Sequence, residues 1–130
     1  MLTNHTQFPL ISIVLATYNG AKFLRTQLDS VLQQDYPNLE IIVTDDNSSD
    51  DTLAIIESYQ SKHPFIQIIK SRTNQGYIKN FEQGCKLAKG EYVALCDQDD
   101  QWHPQKISKL YQAIGDAALV YANSVLCNEN

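Results

Sequence analysis

Asp97, Asp99 and Asp100 put three carboxylates within four residues, and a second acidic stretch holds Asp45, Asp46, Asp50 and Asp51. Carboxylates this close repel one another and raise each other's pKa unless a cation sits among them. Oxygen ligands alone select a hard divalent ion, Mg²⁺ or Mn²⁺, which keeps positions open for substrate phosphate oxygens. Such an ion on a diphosphate offsets the charge that grows as the diphosphate leaves. A plain acidic loop capping its next helix is the competing reading, and two such loops at one sheet edge weigh against it. Asp46 has two readings. Its carboxylate accepts hydrogen bonds only, from a base N–H or a ribose hydroxyl. It can equally form an Asx-turn or helix cap, a role that suits Asp45, Asn47 and Ser48 as well. Tyr18 either stacks on a base or packs over the sheet edge. Trp102 reads as a hydrophobic anchor for the acidic loop, and His63 and His103, each beside a proline, read as end caps.

Other chemistries are excluded by what is missing. Gly20 stands alone in its loop, so neither GxGxxG nor GxxxxGK[ST] can be drawn. Phosphate contact must then come mainly through metal. No serine has the strained-turn setting of a nucleophile. A formal net charge of -5 argues against nucleic acid or an anionic membrane surface as the partner. Cys85, Cys96 and Cys127 lack CxxC spacing and read as reduced, packed thiols of a cytoplasmic protein. Residues 1–9 carry no signal-peptide pattern, and the apolar runs 10–16 and 92–96 are too short to span a bilayer.

The elements that must position these residues follow a rhythm. Short β-branched runs at 11–16, 40–44, 65–70 and 92–96 read as strands, with a fifth at 118–126. Between them, 23–34 reads as a helix with Leu24, Leu28, Val31 and Leu32 at helical spacing. Ser48 or Ser49 caps the next helix, leaving Asp50 and Asp51 in its first turn, and that helix ends near His63. Residues 77–88 form a helix with Ile78, Phe81 and Cys85 on one face, and Pro104 opens a last helix. This alternation predicts an α/β fold, a mostly parallel sheet with helices on both faces. A flexible tail at 1–9 precedes a single domain over 10–130. In such sheets ligands bind outside the carboxyl ends of the strands. The loops that start at Thr17, Asp45 and Asp97 are therefore expected to meet at one rim.

The stretches ISIVLATYNGAKFLRTQLDSVLQQ, EIIVTDDNSSDDT and NQGYIKNFEQGCKLAKGEYVALCDQDDQWHPQKI resemble the family 2 glycosyltransferases of the GT-A fold over residues 10–125. ALCDQDDQWHPQKI is most similar to bacterial members that build surface polysaccharides, rhamnosyltransferases among them. The resemblance implies a Rossmann-like nucleotide-diphospho-sugar-binding fold. It also implies a UDP- or dTDP-linked sugar donor with Mg²⁺ or Mn²⁺, and a glycan or lipid-linked acceptor. It sets Ala16, Thr17 and Tyr18 against the nucleoside and Asp46 against the base. The family's DxD motif falls on Asp97-Gln98-Asp99, with the alternative register of Asp99 at ribose and Asp100 on the metal. Lys79 occupies a position where a basic side chain approaches the nucleotide. The family's general base, a later carboxylate, is expected beyond residue 130. The chain then reads as the donor-binding part of a hexosyltransferase, cut short at its C-terminus and inactive alone, with the full protein at the inner face of the membrane. Two alternatives compete with this reading. A haloacid-dehalogenase-type phosphatase would need its Asp pair after the first strand and a Thr or Val where Gln101 stands. A self-associating, non-catalytic module would use the edge of the terminal strand.

Overall fold

The computed structural model describes residues 8–97 and 99–120. Four strands, β1 (Ile11–Thr17), β2 (Leu39–Asp45), β3 (Ile66–Lys70) and β4 (Tyr92–Asp97), alternate with four helices, α1 (Ala21–Leu32), α2 (Thr52–Lys62), α3 (Tyr77–Leu87) and α4 (Lys106–Ile114). The strands form one sheet in the order β3-β2-β1-β4, with every pair parallel. The chain steps outward from β1 to β3, then returns to the other side of β1 for β4. That reversal is a topological switch point, where open α/β sheets form their ligand crevice. Register does the rest: Thr17 lies beside Asp45, and Ala16 beside Asp97.

Alternation along the strands gives each face its own partner. Ile11, Ile13 and Leu15 of β1, with Ile41 and Val43 of β2, join Leu24, Leu28 and Ile56 in one buried cluster, which Trp102 and Ile107 complete. The opposite face carries Val14 and Thr44, and α3 lies on it through Gly84. A Cβ added at Gly84 would come 2.4 Å from Val14 Cγ1 and 3.0 Å from Thr44 Cγ2. The helix sits this low only because that position has no side chain.

This packing corrects the expected face of α3. Asn80 and Gly84 are the buried residues of the helix, whereas Ile78 is 68% exposed and Cys85 is exposed. Ile78 and Cys85 are rotated from the contact line and Phe81 is only half-buried, because close approach to the sheet favours small residues over bulky ones. The start of α2 also differs. The helix begins at Thr52, so Asp50 and Asp51 precede its first turn.

Of the expected tail, residues 1–7 lie outside the described residues. Phe8 and Pro9 are held, since their carbonyls accept hydrogen bonds from Asn38 Nδ2 at 2.9 Å and the Tyr36 hydroxyl at 2.5 Å. The expected fifth strand lies outside the described residues from 121 onward, and 118–120 are irregular. Among the described residues, no helix is long and apolar enough to cross a membrane.

Candidate functional site

The switch-point rim begins with the two loops that follow β1 and β2. Side chains of the second loop take the backbone N–H groups at the start of α1. Asn19 N–H donates to Ser48 Oγ at 2.9 Å, Gly20 N–H to Thr52 Oγ1 at 2.9 Å, and Ala21 N–H to Asp50 Oδ2 at 3.2 Å. Asn19, in a left-handed conformation (φ 47°), answers with its own Oδ1, which accepts the Ser49 N–H at 2.8 Å. In many α/β folds the N–H groups at this helix start hold a phosphate. Here the neighbouring loop occupies them, in keeping with the missing glycine-rich motif.

Asp50 also accepts from Thr52 N–H at 2.9 Å and from the Thr52 hydroxyl, so one carboxylate joins the starts of α1 and α2. Asp51 is the N-cap residue of α2 and makes no side-chain cap bond; Asp50, one residue earlier, takes the first N–H of the helix, and neither Ser48 nor Ser49 has the capping position expected of them. Burial pushes the Asp50 carboxyl up, but the Thr52 and Ala21 hydrogen bonds outweigh that and hold it below the usual range.

Ala16 and Thr17 are buried, and the Thr17 hydroxyl donates to Asp45 Oδ1 at 2.6 Å. The Thr17 carbonyl accepts twice, from Asp46 N–H at 3.0 Å and Asn80 Nδ2 at 3.2 Å. Tyr18 alone of this trio turns a large exposed side chain outward, at 46% exposure. Lys79 is exposed in the first turn of α3.

The two neighbouring aspartates of the second loop divide the roles. Asp45 makes the Asx-type turn, accepting Ser48 N–H at 2.9 Å and the Ser48 hydroxyl at 2.6 Å. Asp46 is 2% exposed, and its two oxygens accept the N–H groups of Gln75 at 2.7 Å and Gly76 at 2.9 Å. Gly76 has φ of 92°, a conformation that suits glycine. Asp46 thus ties the end of β2 to the loop before α3. Neither sequence reading of Asp46 included this tie, because its partners lie about thirty residues away in the chain.

The third loop continues from β4. Asp97 ends the strand, and Asp100 N–H donates to the Asp97 carbonyl at 3.2 Å, closing a turn. Asp97, Asp99 and Asp100 are all exposed. Burial, then the charges of Asp99 and Asp97, hold the Asp100 carboxyl above its usual range, opposed in part by Lys106. Trp102 is buried in the core, with Lys106 Nζ 4.6 Å from its ring centre, so it anchors the loop as expected. A cavity of about 540 Å³ between β4 and α4 is lined by Tyr92, Trp102, Leu110 and Tyr111 and holds none of the expected ligand residues. Its apolar walls suit it poorly to a nucleoside diphosphate.

The roles of Asn19, Asp50 and Asn80 escaped the sequence reading. Their one signal is type: Asn and Asp tolerate left-handed backbone and bond nearby N–H groups. That signal names loops without naming partners.

Comparison with known proteins agrees with this fold. The chain matches the pattern described as glycosyl transferase family 2 over residues 12–130. It is 39% identical over 106 residues to an uncharacterized glycosyltransferase of Rickettsia typhi, covering 82% of this chain and 32% of that protein. Its fold is similar to S. aureus TarS 1-349 in complex with UDP, with a TM-score of 0.73 and 32% identity over 82% of this chain and 32% of that one. It is also similar to the mannosyltransferase PcManGT of Pyrobaculum calidifontis in complex with GDP-Man and Mn²⁺, with a TM-score of 0.79 and 26% identity over 83% of this chain and 33% of that one. The chain thus spans about a third of the length of these relatives. A parallel sheet with its switch point between β1 and β4, in the Rossmann-like GT-A form, and a family match along nearly its whole length make this chain a member of glycosyl transferase family 2.

Proposed function

We propose that this chain binds a nucleoside-diphosphate sugar, UDP- or dTDP-linked, as the donor-binding part of an inverting glycosyltransferase. Glycans or lipid-linked sugars are the acceptors on this reading, with the general base supplied from outside residues 1–130. The observation that carries it is the register that sets Thr17 beside Asp45 and Ala16 beside Asp97 at one end of the sheet. Tyr18 offers a ring to the base, and Lys79 a cation to the nucleotide. Asp46 keeps unused lone pairs for a base N–H. Asp97 or Asp99 takes the ribose.

Asp99 and Asp100 are the proposed ligands for Mg²⁺ or Mn²⁺. Their oxygens are the donors a hard divalent ion takes. The mutual repulsion felt at Asp100 is what such a cation would relieve. Among the described residues no three His, Cys, Asp or Glu side chains form a ready metal site. On this reading diphosphate oxygens and water complete the coordination. When bound, the ion offsets charge on the leaving diphosphate.

Calorimetric titration with UDP and dTDP, with and without Mn²⁺, tests the reading. We expect binding that Mn²⁺ strengthens. Asp99→Asn combined with Asp100→Asn should remove the metal-dependent gain, about tenfold or more in Kd for each carboxylate neutralised, and leave the fold intact. Folded protein that takes up no nucleoside diphosphate would overturn the proposal.

A further inference from the structure

α1 carries polar side chains within the stripe that faces the core. Gln27 and Ser30 follow at i and i+3 among Leu24, Leu28 and Val31, and Gln34, half-buried, lies just past the helix end. Gln27 is 1% exposed and Ser30 6%. Polar groups buried this far destabilise a fold unless each finds a partner. Their partners converge on one region. Gln27 Nε2 donates to Cys96 Sγ, next to Asp97. Ser30 Oγ accepts the Trp102 N–H at 3.0 Å. Gln34 Nε2 donates to the His103 carbonyl at 2.8 Å, and its Oε1 accepts the Ile107 N–H at 3.0 Å.

Both flanks of the acidic loop 97–100 are therefore fastened to α1 and the residues just past its end. Cys96 lies on its entry side, and Trp102, His103 and Ile107 on its exit side. Asp35, next to Gln34, adds its N–H to the Pro104 carbonyl at 3.0 Å. Nothing in these bonds uses the three carboxylates, which stay exposed. A site is effective when its supporting groups are locked by packing and hydrogen bonds.

We propose that Ser30 and Gln34 are positioning residues that set the geometry in which the 97–100 carboxylates hold a metal-bound diphosphate; this rests on the donor-site reading above. Neither side chain need touch the ligand. Their action runs through the backbone of Trp102, His103 and Ile107.

The test is calorimetric titration of UDP into the 130-residue chain and into two variants, Gln34→Met and Ser30→Ala, each with and without Mn²⁺. Gln34→Met keeps most of the volume and removes the amide's hydrogen bonds to Ser30, His103 and Ile107. Ser30→Ala removes one hydroxyl and leaves no cavity of consequence. Thermal unfolding of each variant accompanies the titrations. We expect the metal-dependent gain in UDP affinity to fall about tenfold, about one hydrogen bond's worth of positioning. UDP affinity without metal should stay unchanged. An equal loss with and without Mn²⁺, or no loss in either variant, would overturn the positioning role and leave the donor site standing. Absence of UDP and dTDP binding in the unsubstituted chain would overturn the donor-site reading itself, and the positioning role with it.

Discussion

Asp46→Asn probes the tie between β2 and α3 directly. The carboxylate is 2% exposed, so solvent does little to screen its contacts, and each oxygen accepts one backbone N–H. Asparagine keeps the shape but turns one oxygen into a donor that faces an N–H. Gly76 N–H has a second acceptor in Asn74 Oδ1 at 3.1 Å. The new amide group should therefore turn toward Gly76 and leave its oxygen on Gln75. A hydrogen bond to a charged group contributes about 1.5–3 kcal/mol, and the Asn74 fallback puts the loss near the lower end, about 1.5 kcal/mol. Asp46→Ala removes both acceptors and orphans the Gln75 N–H, for a loss of about 3–4 kcal/mol. At about 4 °C per kcal/mol for a chain of this size, Tm should fall by about 6 °C for Asn and about 14 °C for Ala. Urea unfolding followed by circular dichroism measures this, with an unchanged slope marking an unchanged unfolded state. An asparagine variant within about 0.5 kcal/mol of the unsubstituted chain, inside the range of ordinary surface changes, would refute the tie as a source of stability.

Further outcomes follow from other contacts. Gly84→Ala places a methyl 2.4 Å from Val14 Cγ1. The overpacking, about 1–3 kcal/mol, should exceed the helix-propensity gain of up to about 1 kcal/mol, so urea melts should show net destabilisation; a stabilised variant would mean a looser helix–sheet contact. Asn19→Gly keeps the left-handed backbone open but removes the Oδ1 acceptor, and should lower stability by about 1 kcal/mol in the same assay. Asp50 has its folded carboxyl held below the unfolded value, so its contribution is present above an unfolded pKa of about 4 and lost as pH falls through the lower folded one. The Tm difference between the unsubstituted chain and Asp50→Asn should therefore shrink between neutral pH and about pH 3. A difference that grows on acidification would contradict the role of the Asp50 carboxylate in joining the starts of α1 and α2.

Much of the architecture was legible from local pattern. The β-branched runs around Ile13, Ile42 and Leu95 and the helical spacing of Leu24, Leu28 and Val31 announced parallel strands and covering helices. Order in the chain then made the loops after β1, β2 and β4 candidates for one rim. The acidic runs were visible as residue types, and their residue types alone suggested a divalent ion. Pattern failed where contact distance decided. Ile78, Phe81 and Cys85 look like the inner face of α3, yet the sheet takes Gly84, where any Cβ would come 2.4 Å from Val14 Cγ1, and Asn80, whose amide bonds the Thr17 carbonyl.

Partnership was the other thing hidden in the chain. Asp45 and Asp46 are adjacent and chemically identical, but one turns its loop and the other grips a backbone about thirty residues on. Nothing in the local pattern around Gln27, Ser30 and Gln34 names their partners Cys96, Trp102 and Ile107 across the fold. Local spacing sets which backbone shape each segment prefers, and that preference is written in neighbours along the chain. A hydrogen bond or a close packing contact depends on groups brought together across the sheet, so only the folded structure could assign those roles.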